Sequence, residues 1–307
     1  MDIKITGLSK SYGLQKAVDD ISFDVKPGEI LGFLGPNGAG KTTTMKMITD
    51  YLAMDAGDIR IGGQSIRSAN MRRHIGYLPE NNPLYEEMPV IEYLSFCARL
   101  HGMSESEIPA RIREMVRICG LDPEKHKKIG ELSKGFRQRV GLAQAMIHDP
   151  AILILDEPTT GLDPNQRIEI RELIKSLGRE KTVILSTHIL PEVEETCDRI
   201  LIIDQGKIVA DGTVEMLRRQ ASGQDLTRVR IEGAGADDVH RALGGISGVH
   251  SVDITDAGEG RFTVQAAPGH QVARHIFQTC VARNWVLLEL TPVETKLEDI
   301  FRDLTLN

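Results

Sequence analysis

The 307-residue chain has little that would place it in or across a membrane. No run approaches the roughly 20 consecutive apolar residues that a spanning helix needs. The longest apolar stretches, Ala151–Leu155 and Ile200–Ile203, are strand-sized. Met1 to Leu8 alternates polar and apolar residues, so no secretory signal segment is expected. Cysteine is scarce: Cys97, Cys119, Cys197 and Cys280 lie far apart, in no metal or redox spacing. They read as buried reduced thiols, which fits the cytosol. Basic charge is not in excess, and a net charge of −7 gives no electrostatic reason to expect nucleic acid as the main partner. Tryptophan occurs once, as Trp285, expected in a core, with a dimer contact as the alternative.

The apolar share, 41%, is that of an ordinary globular protein, and the length suggests two domains. Over the first 210 or so residues short apolar runs alternate with helical patterns. Strands are expected at Ile21–Val25, Glu29–Gly35, Asp58–Ile61, Ile75–Leu78, Ile152–Leu155, Thr182–Ser186 and Arg199–Asp204. A helix follows from Lys41 to about Leu52. The alternation implies an α/β fold built on a largely parallel sheet covered on both faces. Between Pro89 and Ile147 helical stripes take over, at Val90–Leu100, Glu105–Cys119 and Lys134–Ile147, which predicts an inserted helical subdomain, about 83–148. Ala221-Ser222-Gly223-Gln224 reads as a linker. Beyond it come strand 227–232, helix 236–243, strand 249–255, strand 261–267, helix 271–283, strand 285–291 and a closing helix 295–304. That βαββαβ order predicts a small α+β ferredoxin-like domain over 225–307, after a first domain of 1–220.

Gly35-Pro36-Asn37-Gly38-Ala39-Gly40-Lys41-Thr42, followed by Thr43, matches the P-loop pattern in full, after a predicted strand and at the start of a helix. Glycines let backbone N–H groups converge on phosphate oxygens, and the helix points its positive end at the same anion. Lys41 is suited to neutralise β- and γ-phosphates, and Thr42 to ligate Mg²⁺. In Ile152-Leu153-Ile154-Leu155-Asp156-Glu157, two carboxylates leave the C-terminal end of a buried strand, the edge where open α/β sheets bind ligands. Asp156 is expected to hold the metal, and Glu157 to accept a proton from the attacking water. A bare Asp-Glu pair would read as a solvated turn; the P-loop makes it a catalytic candidate. The chain is therefore expected to bind ATP with Mg²⁺ and to hydrolyse it.

Five further segments resemble ABC-type ATPases, in the right order over roughly residues 2–220. Leu132-Ser133-Lys134-Gly135-Phe136-Arg137-Gln138-Arg139 resembles their signature motif, and Thr160-Gly161-Leu162-Asp163-Pro164 their D-loop. His188 stands where the switch histidine belongs, Tyr12 where an aromatic stacks on adenine, and Tyr77-Leu78-Pro79-Glu80 in the Q-loop region. The resemblance implies a head-to-tail dimer of identical ATPase protomers. In it, Ser133 and Gly135 of one copy reach the γ-phosphate held by the other, and Asp163 belongs to the same shared site. It also implies contact of His188 with the γ-phosphate and Glu157. Ser133 should start a helix, as a cap that leaves free amides for the anion. Two departures stand out. Glu80 replaces the usual Gln, offering a charged oxygen to Mg²⁺, and Lys134 and Phe136 stand where Gly and Gln are frequent.

Tyr77–Glu80 with Asn81-Asn82-Pro83-Leu84-Tyr85 resembles ATPase subunits of gliding-motility-type export systems. The tail Leu297-Glu298-Asp299-Ile300-Phe301 with Leu304-Thr305 resembles those of ABC-2-type exporters, drug exporters included. Such subunits are cytoplasmic, peripheral on the inner face of the membrane and docked on separate transmembrane permease subunits, here through the helical subdomain and the Glu80–Tyr85 loop. A soluble ABC protein acting on ribosomes or DNA is the rival reading. Against it stand the single P-loop and signature, and the lack of coiled-coil or zinc insertions. An importer subunit is the other alternative. The C-terminal domain carries no catalytic constellation, and a dimer-stabilising or regulatory role is expected of it.

Overall fold

The computed structural model describes residues 1–68, 70–221, 225–267, 272–293 and 296–305. The linker expected at Ala221–Gln224 lies outside them beyond Ala221. Two compact units emerge, Met1–Val214 with Leu304–Asn307, and Glu215–Asp303.

The first unit runs β1 (Ile3–Tyr12), β2 (Gln15–Val25), β3 (Ile30–Leu34), α1 (Lys41–Ile48), β4 (Ala56–Ile61), β5 (Gln64–Ser65), β6 (Ile75–Leu78), α2 (Val90–Leu100), α3 (Ile108–Ile118) and α4 (Lys134–Met146). It continues with β7 (Ile152–Asp156), α5 (Pro164–Gly178), β8 (Thr182–Thr187), α6 (Leu190–Thr196), β9 (Arg199–Asp204) and β10 (Lys207–Gly212); α7 (Val214–Ala221) belongs, past Val214, to the second unit. Every residue of β3, β7 and β8 is buried. They form the middle of a six-stranded sheet, ordered β10-β9-β3-β8-β7-β6, parallel except for the edge strand β10. Side chains alternate between its faces. Ile152 and Ile154 enter a core shared with α1, β1, β2 and β4, while Leu153 and Leu155 enter one shared with α2, α3, α4 and α5.

Two expectations are corrected. Ile21–Val25 and Asp58–Ile61 do not join the parallel sheet but a second, antiparallel one, ordered β2-β1-β4-β5. The reason lies in the pattern: Ile21, Phe23 and Val25 are buried while Ser22 and Asp24 are exposed. One wet face is the mark of an antiparallel sheet, whereas β3 and β7 are apolar on both. The helix expected to reach Leu52 stops at Ile48. Asp50 takes a left-handed φ of 54°, and the amides of Tyr51 and Leu52 both turn back to the Lys46 carbonyl.

The helices α2, α3 and α4 lie between β6 and β7 in the chain. At their base two imidazoles, His101 and His148, stack with centroids 3.7 Å apart and planes 6° from parallel. His148 Nε2 donates to the Ile75 carbonyl at 3.1 Å, at the start of β6. Burial, then the neighbouring His101, and further Arg111 and Lys181, lower the His148 pKa to about 4, against the opposing Ile75 hydrogen bond. An unfolded histidine protonates near 6.5. As the pH falls from about 6.5 to about 4, the unfolded chain therefore takes up a proton that the folded imidazole refuses, so this group's contribution to stability is full above that window and declines through it. Urea unfolding midpoints measured across that range should fall less steeply in His148→Gln than in the parent chain.

The second unit contains β11 (Asp225–Glu232), α8 (Ala236–Gly244), β12 (Val249–Asp256), β13 (Arg261–Ala266), α9 (Val272–Ala282), β14 (Val286–Val293) and α10 (Leu297–Thr305). Its sheet is antiparallel throughout, in the order β12-β13-β11-β14. Val229, Ile231, Phe262 and Val264 face a core closed by Val239 and Leu243 of α8 and Ile276 of α9. Trp285 packs half-buried against that core, with the Arg283 guanidinium 5.2 Å from its ring centroid. Cys97, Cys119 and Cys280 are buried free thiols, and Cys197 is half-buried and also free.

Candidate phosphate-binding and hydrolytic site

The loop from Gly35 to Gly40 joins β3 to α1. Crowding dictates two of its glycines. A Cβ on Gly35 would lie 2.4 Å from the Ile203 carbonyl oxygen, and one on Gly40 2.3 Å from that of Ala17, where Gly40 also takes φ 108°. Gly40→Ala is therefore expected to open the loop, weakening ATP binding at least tenfold; equilibrium binding of a fluorescent ATP analogue checks this. No side chain caps α1 at Gly40, which leaves its first amides and the positive end of its dipole available to an anion. Pro36, Asn37, Gly38 and Ala39 form the rest of the loop, and Thr42 and Thr43 follow Lys41 on α1. Lys41 is 6% exposed. Its ammonium donates to the carbonyls of Gly35 (2.8 Å) and Pro36 (3.2 Å) and lies 3.4 Å from Glu157 Oε1.

Asp156 ends β7 and is fully buried. It accepts a hydrogen bond from the Ser186 hydroxyl, while its Oδ2 has no partner. Burial pushes its carboxyl above the usual carboxylate range, opposed by the hydroxyls of Ser186 and Thr42. A buried carboxylate oxygen without a partner beside a threonine hydroxyl suits a hard divalent cation, and Mg²⁺ takes only one or two protein oxygens when phosphates supply others. Among the described residues no group of three acidic, histidine or cysteine side chains gathers for a metal. Glu80 is exposed and shares with Thr42, Tyr77 and Asp156 the lining of a cavity of about 860 Å³. A cavity of about 900 Å³, lined among others by Arg67, Arg73 and His148, includes no residue of the loop.

Glu157 is the first residue past β7. It adopts φ 50°, a left-handed conformation unusual for a glutamate, held by bonds from its amide to the Ser186 hydroxyl and carbonyl, both at 3.1 Å. That turn aims its carboxylate at three groups: Lys41, the Thr160 hydroxyl (3.1 Å) and His188 Nδ1 (2.9 Å). Glu157 is 5% exposed, while the His188 side chain is 42% exposed, so the contact has a dry side and a wet one. An acceptor, an imidazole and an ammonium thus converge beside the loop.

Of the residues singled out from sequence, the structure brings together Lys41, Thr42, Asp156, Glu157 and His188. Ser133, Gly135 and Asp163 form a second group. Ser133 caps α4, accepting from the Phe136 amide at 3.3 Å, and Asp163 caps α5, accepting from the Gln166 amide at 2.9 Å. A Cβ on Gly135 would lie 2.6 Å from the Gln166 side chain, which brings the two helix starts side by side. Tyr12 is 54% exposed where β1 turns into β2. Sequence reasoning gave no role to Ser186, Thr159, Thr187 or Glu192; it singled out Thr160 and Tyr77 by resemblance, but not the bond from Thr160 to Glu157 or the Tyr77 hydroxyl that is buried without a partner. The threonines and serine read as strand or turn residues, and Glu192 sits in the acidic run Glu192-Val193-Glu194-Glu195, which looks like a solvated helix face.

Comparison with known proteins places this geometry. Residues 18–160 match the family described as ABC transporter, and residues 128–193 match an AAA domain. The chain is 41% identical over 218 residues to the uncharacterized ABC transporter ATP-binding protein YxlF of Bacillus subtilis (strain 168), covering 71% of this chain and 73% of the relative. It is 34% identical over 306 residues to the linearmycin resistance ATP-binding protein LnrL of the same organism, covering 99% and 98%. It is 40% identical over 230 residues to the Nod factor export ATP-binding protein I of Paraburkholderia xenovorans (strain LB400), covering 74% and 76%. Among solved structures, an ATP binding subunit of an ABC transporter superposes with a TM-score of 0.65 at 33% identity, over 72% of this chain and 93% of that one. The dimeric structure of MJ0796, a bacterial ABC transporter cassette, gives 0.64 at 25% identity, over 69% and 98%.

Proposed function

Since the chain belongs to the ABC transporter family of ATP-binding subunits and is an ATPase, we propose that it powers export through separate membrane permease subunits. In this reading two identical copies close on ATP and part after hydrolysis. The observation that carries the chemistry is the convergence of Lys41 and His188 on the Glu157 carboxylate at the end of the central strand. Export is supported by the Nod factor export relative and by the match to a linearmycin resistance ATP-binding protein along nearly the whole of both chains. No described helix is long and apolar enough to cross a membrane, so the reading gives the membrane path to other chains and puts this one on the inner face of the membrane.

The roles follow from charge and position. Gly35–Thr43 cradle the phosphates, Tyr12 stacks on adenine, and Lys41 exchanges its carbonyl partners for phosphate oxygens. Thr42 and Asp156 would hold Mg²⁺, with Glu80 beside them; the ion would screen phosphate charge when bound. Glu157 takes the proton of the attacking water, and His188 holds Glu157 in place while its exposed edge meets the γ-phosphate. Ser133, Gly135 and Asp163 complete the site of the second copy, which accounts for their separate grouping. The domains read as 1–220, with the helical subdomain at about 83–148 as the docking surface, and a ferredoxin-like accessory domain at 225–307 with a dimer-stabilising or regulatory role.

Fractionation of native cells, followed by affinity isolation of the tagged chain in mild detergent, tests the reading. Recovery from membranes with a multi-span apolar protein supports it. Recovery from the soluble fraction, with ribosomes, nucleic acid or alone, sinks the transport role and leaves the ATPase standing.

A further inference from the structure

Glu192 is a carboxylate buried to 2% exposure. Its neighbours in sequence suggest a wet acidic helix, yet it points inward from the first turn of α6. Two hydroxyls hold it. Thr159 donates to Oε1 at 2.5 Å and Thr187 donates to Oε2 at 2.9 Å, and both threonines are themselves buried, at 1% and 0% exposure. Thr187 Oγ1 also accepts from the Ile189 amide at 3.1 Å, so its one proton is committed to the carboxylate.

The two threonines belong to different segments. Thr159 lies two residues beyond Glu157, in the turn whose next residue, Thr160, donates to the Glu157 carboxylate. Thr187 immediately precedes His188, whose Nδ1 meets that same carboxylate. Glu192 therefore ties together, from the dry side, the two stretches of chain that carry the Glu157–His188 contact. The contact itself is open to water on the histidine side. With both carboxylate oxygens engaged, the separation of the two segments is fixed by two charge-assisted bonds rather than by the exposed imidazole alone.

We propose that Glu192 is a positioning residue for hydrolysis: it clamps Thr159 to Thr187 and so sets the His188–Glu157 geometry without touching the nucleotide. The proposal rests on the reading of Glu157 and His188 given above. It predicts a loss in turnover and not in binding, because neither threonine nor Glu192 belongs to the phosphate loop.

The test measures kcat, KM and ATP affinity in the full-length chain for Glu192→Gln, Glu192→Ala and Thr187→Val, each alone and combined with His188→Ala. Glu192→Ala is expected to lower kcat at least tenfold with KM and ATP affinity within about twofold of the parent. In the His188→Ala background the same substitution should cost less than about twofold, because there is no longer a contact to position. Glu192→Gln keeps one acceptor oxygen and the side-chain volume, and should fall between; it also reads the effect if Glu192→Ala folds poorly. Losses that multiply with that of His188→Ala, or kcat unchanged in Glu192→Gln and Thr187→Val, would overturn the proposal. If His188→Ala and Glu157→Gln both leave kcat intact, the reading of the site fails first, and the clamp with it.

Discussion

Glu157→Gln is expected to lower ATP turnover by at least about a hundredfold while ATP affinity stays within a few-fold of the parent, since a positioned general base contributes on the order of 10²–10⁴ in rate. The substitution keeps the volume of a side chain that is 5% exposed, and the amide oxygen still accepts from Thr160 or faces Lys41. What disappears is a basic oxygen at the end of β7. The left-handed backbone at Glu157 is held by its own amide bonds to Ser186 and owes nothing to the carboxylate, so the turn survives the change. Nucleotide binding rests on the loop and on Lys41, which the substitution leaves in place. Single-turnover hydrolysis and equilibrium binding, run on the same preparation, separate the two. Turnover within about twofold of the parent would remove Glu157 from the role of base.

How much of this was legible beforehand depended on whether a residue's neighbours lie near it in the chain. The loop from Gly35 to Thr43 and the Asp156–Glu157 pair are local patterns: an apolar run, a turn, a helix start. Their chemistry is written within a dozen residues. The buried strands β3 and β7 announced themselves by being apolar on both faces. β2 and β4 betray their separate antiparallel sheet only through alternation, a weaker signal once an α/β pattern has been adopted. The network around Glu157 was not readable. Ser186 serves Asp156 and Glu157 because β8 lies beside β7 in register, Asp156 opposite Ser186, and no local property of a serine reports that pairing. Glu192 is the extreme case. Its local context, two further glutamates at 194 and 195, argues for solvent, and its burial beside Thr159, 33 residues away in the chain, is written in no local pattern.

Lys41→Ala is expected to abolish productive ATP binding, and the loss should show in two ways that Glu157→Gln does not share. The first is affinity. The ammonium supplies charge-assisted donors to phosphate oxygens, worth roughly 1.5–3 kcal/mol each, so the dissociation constant should rise by about one to two orders of magnitude. ATP that raises the unfolding temperature of the parent should then no longer raise that of the variant at the same concentration. The second is stability without nucleotide. Lys41 and Glu157 are each about 6% exposed on their side chains and 3.4 Å apart, so removing the lysine leaves a buried carboxylate without its ammonium. The cost, up to about 3 kcal/mol, is moderated by the hydrogen bonds from Thr160 and His188 that remain. Adding Glu157→Gln to Lys41→Ala removes the uncompensated charge, so the double variant should be more stable than Lys41→Ala alone while its ATP affinity stays as weak as that of Lys41→Ala. Urea unfolding of the four proteins in the cycle measures the coupling. A Lys41→Ala protein that binds ATP as the parent does would take the phosphate role from Lys41. Purely additive stabilities would mean that the lysine and the glutamate share no energy across those 3.4 Å.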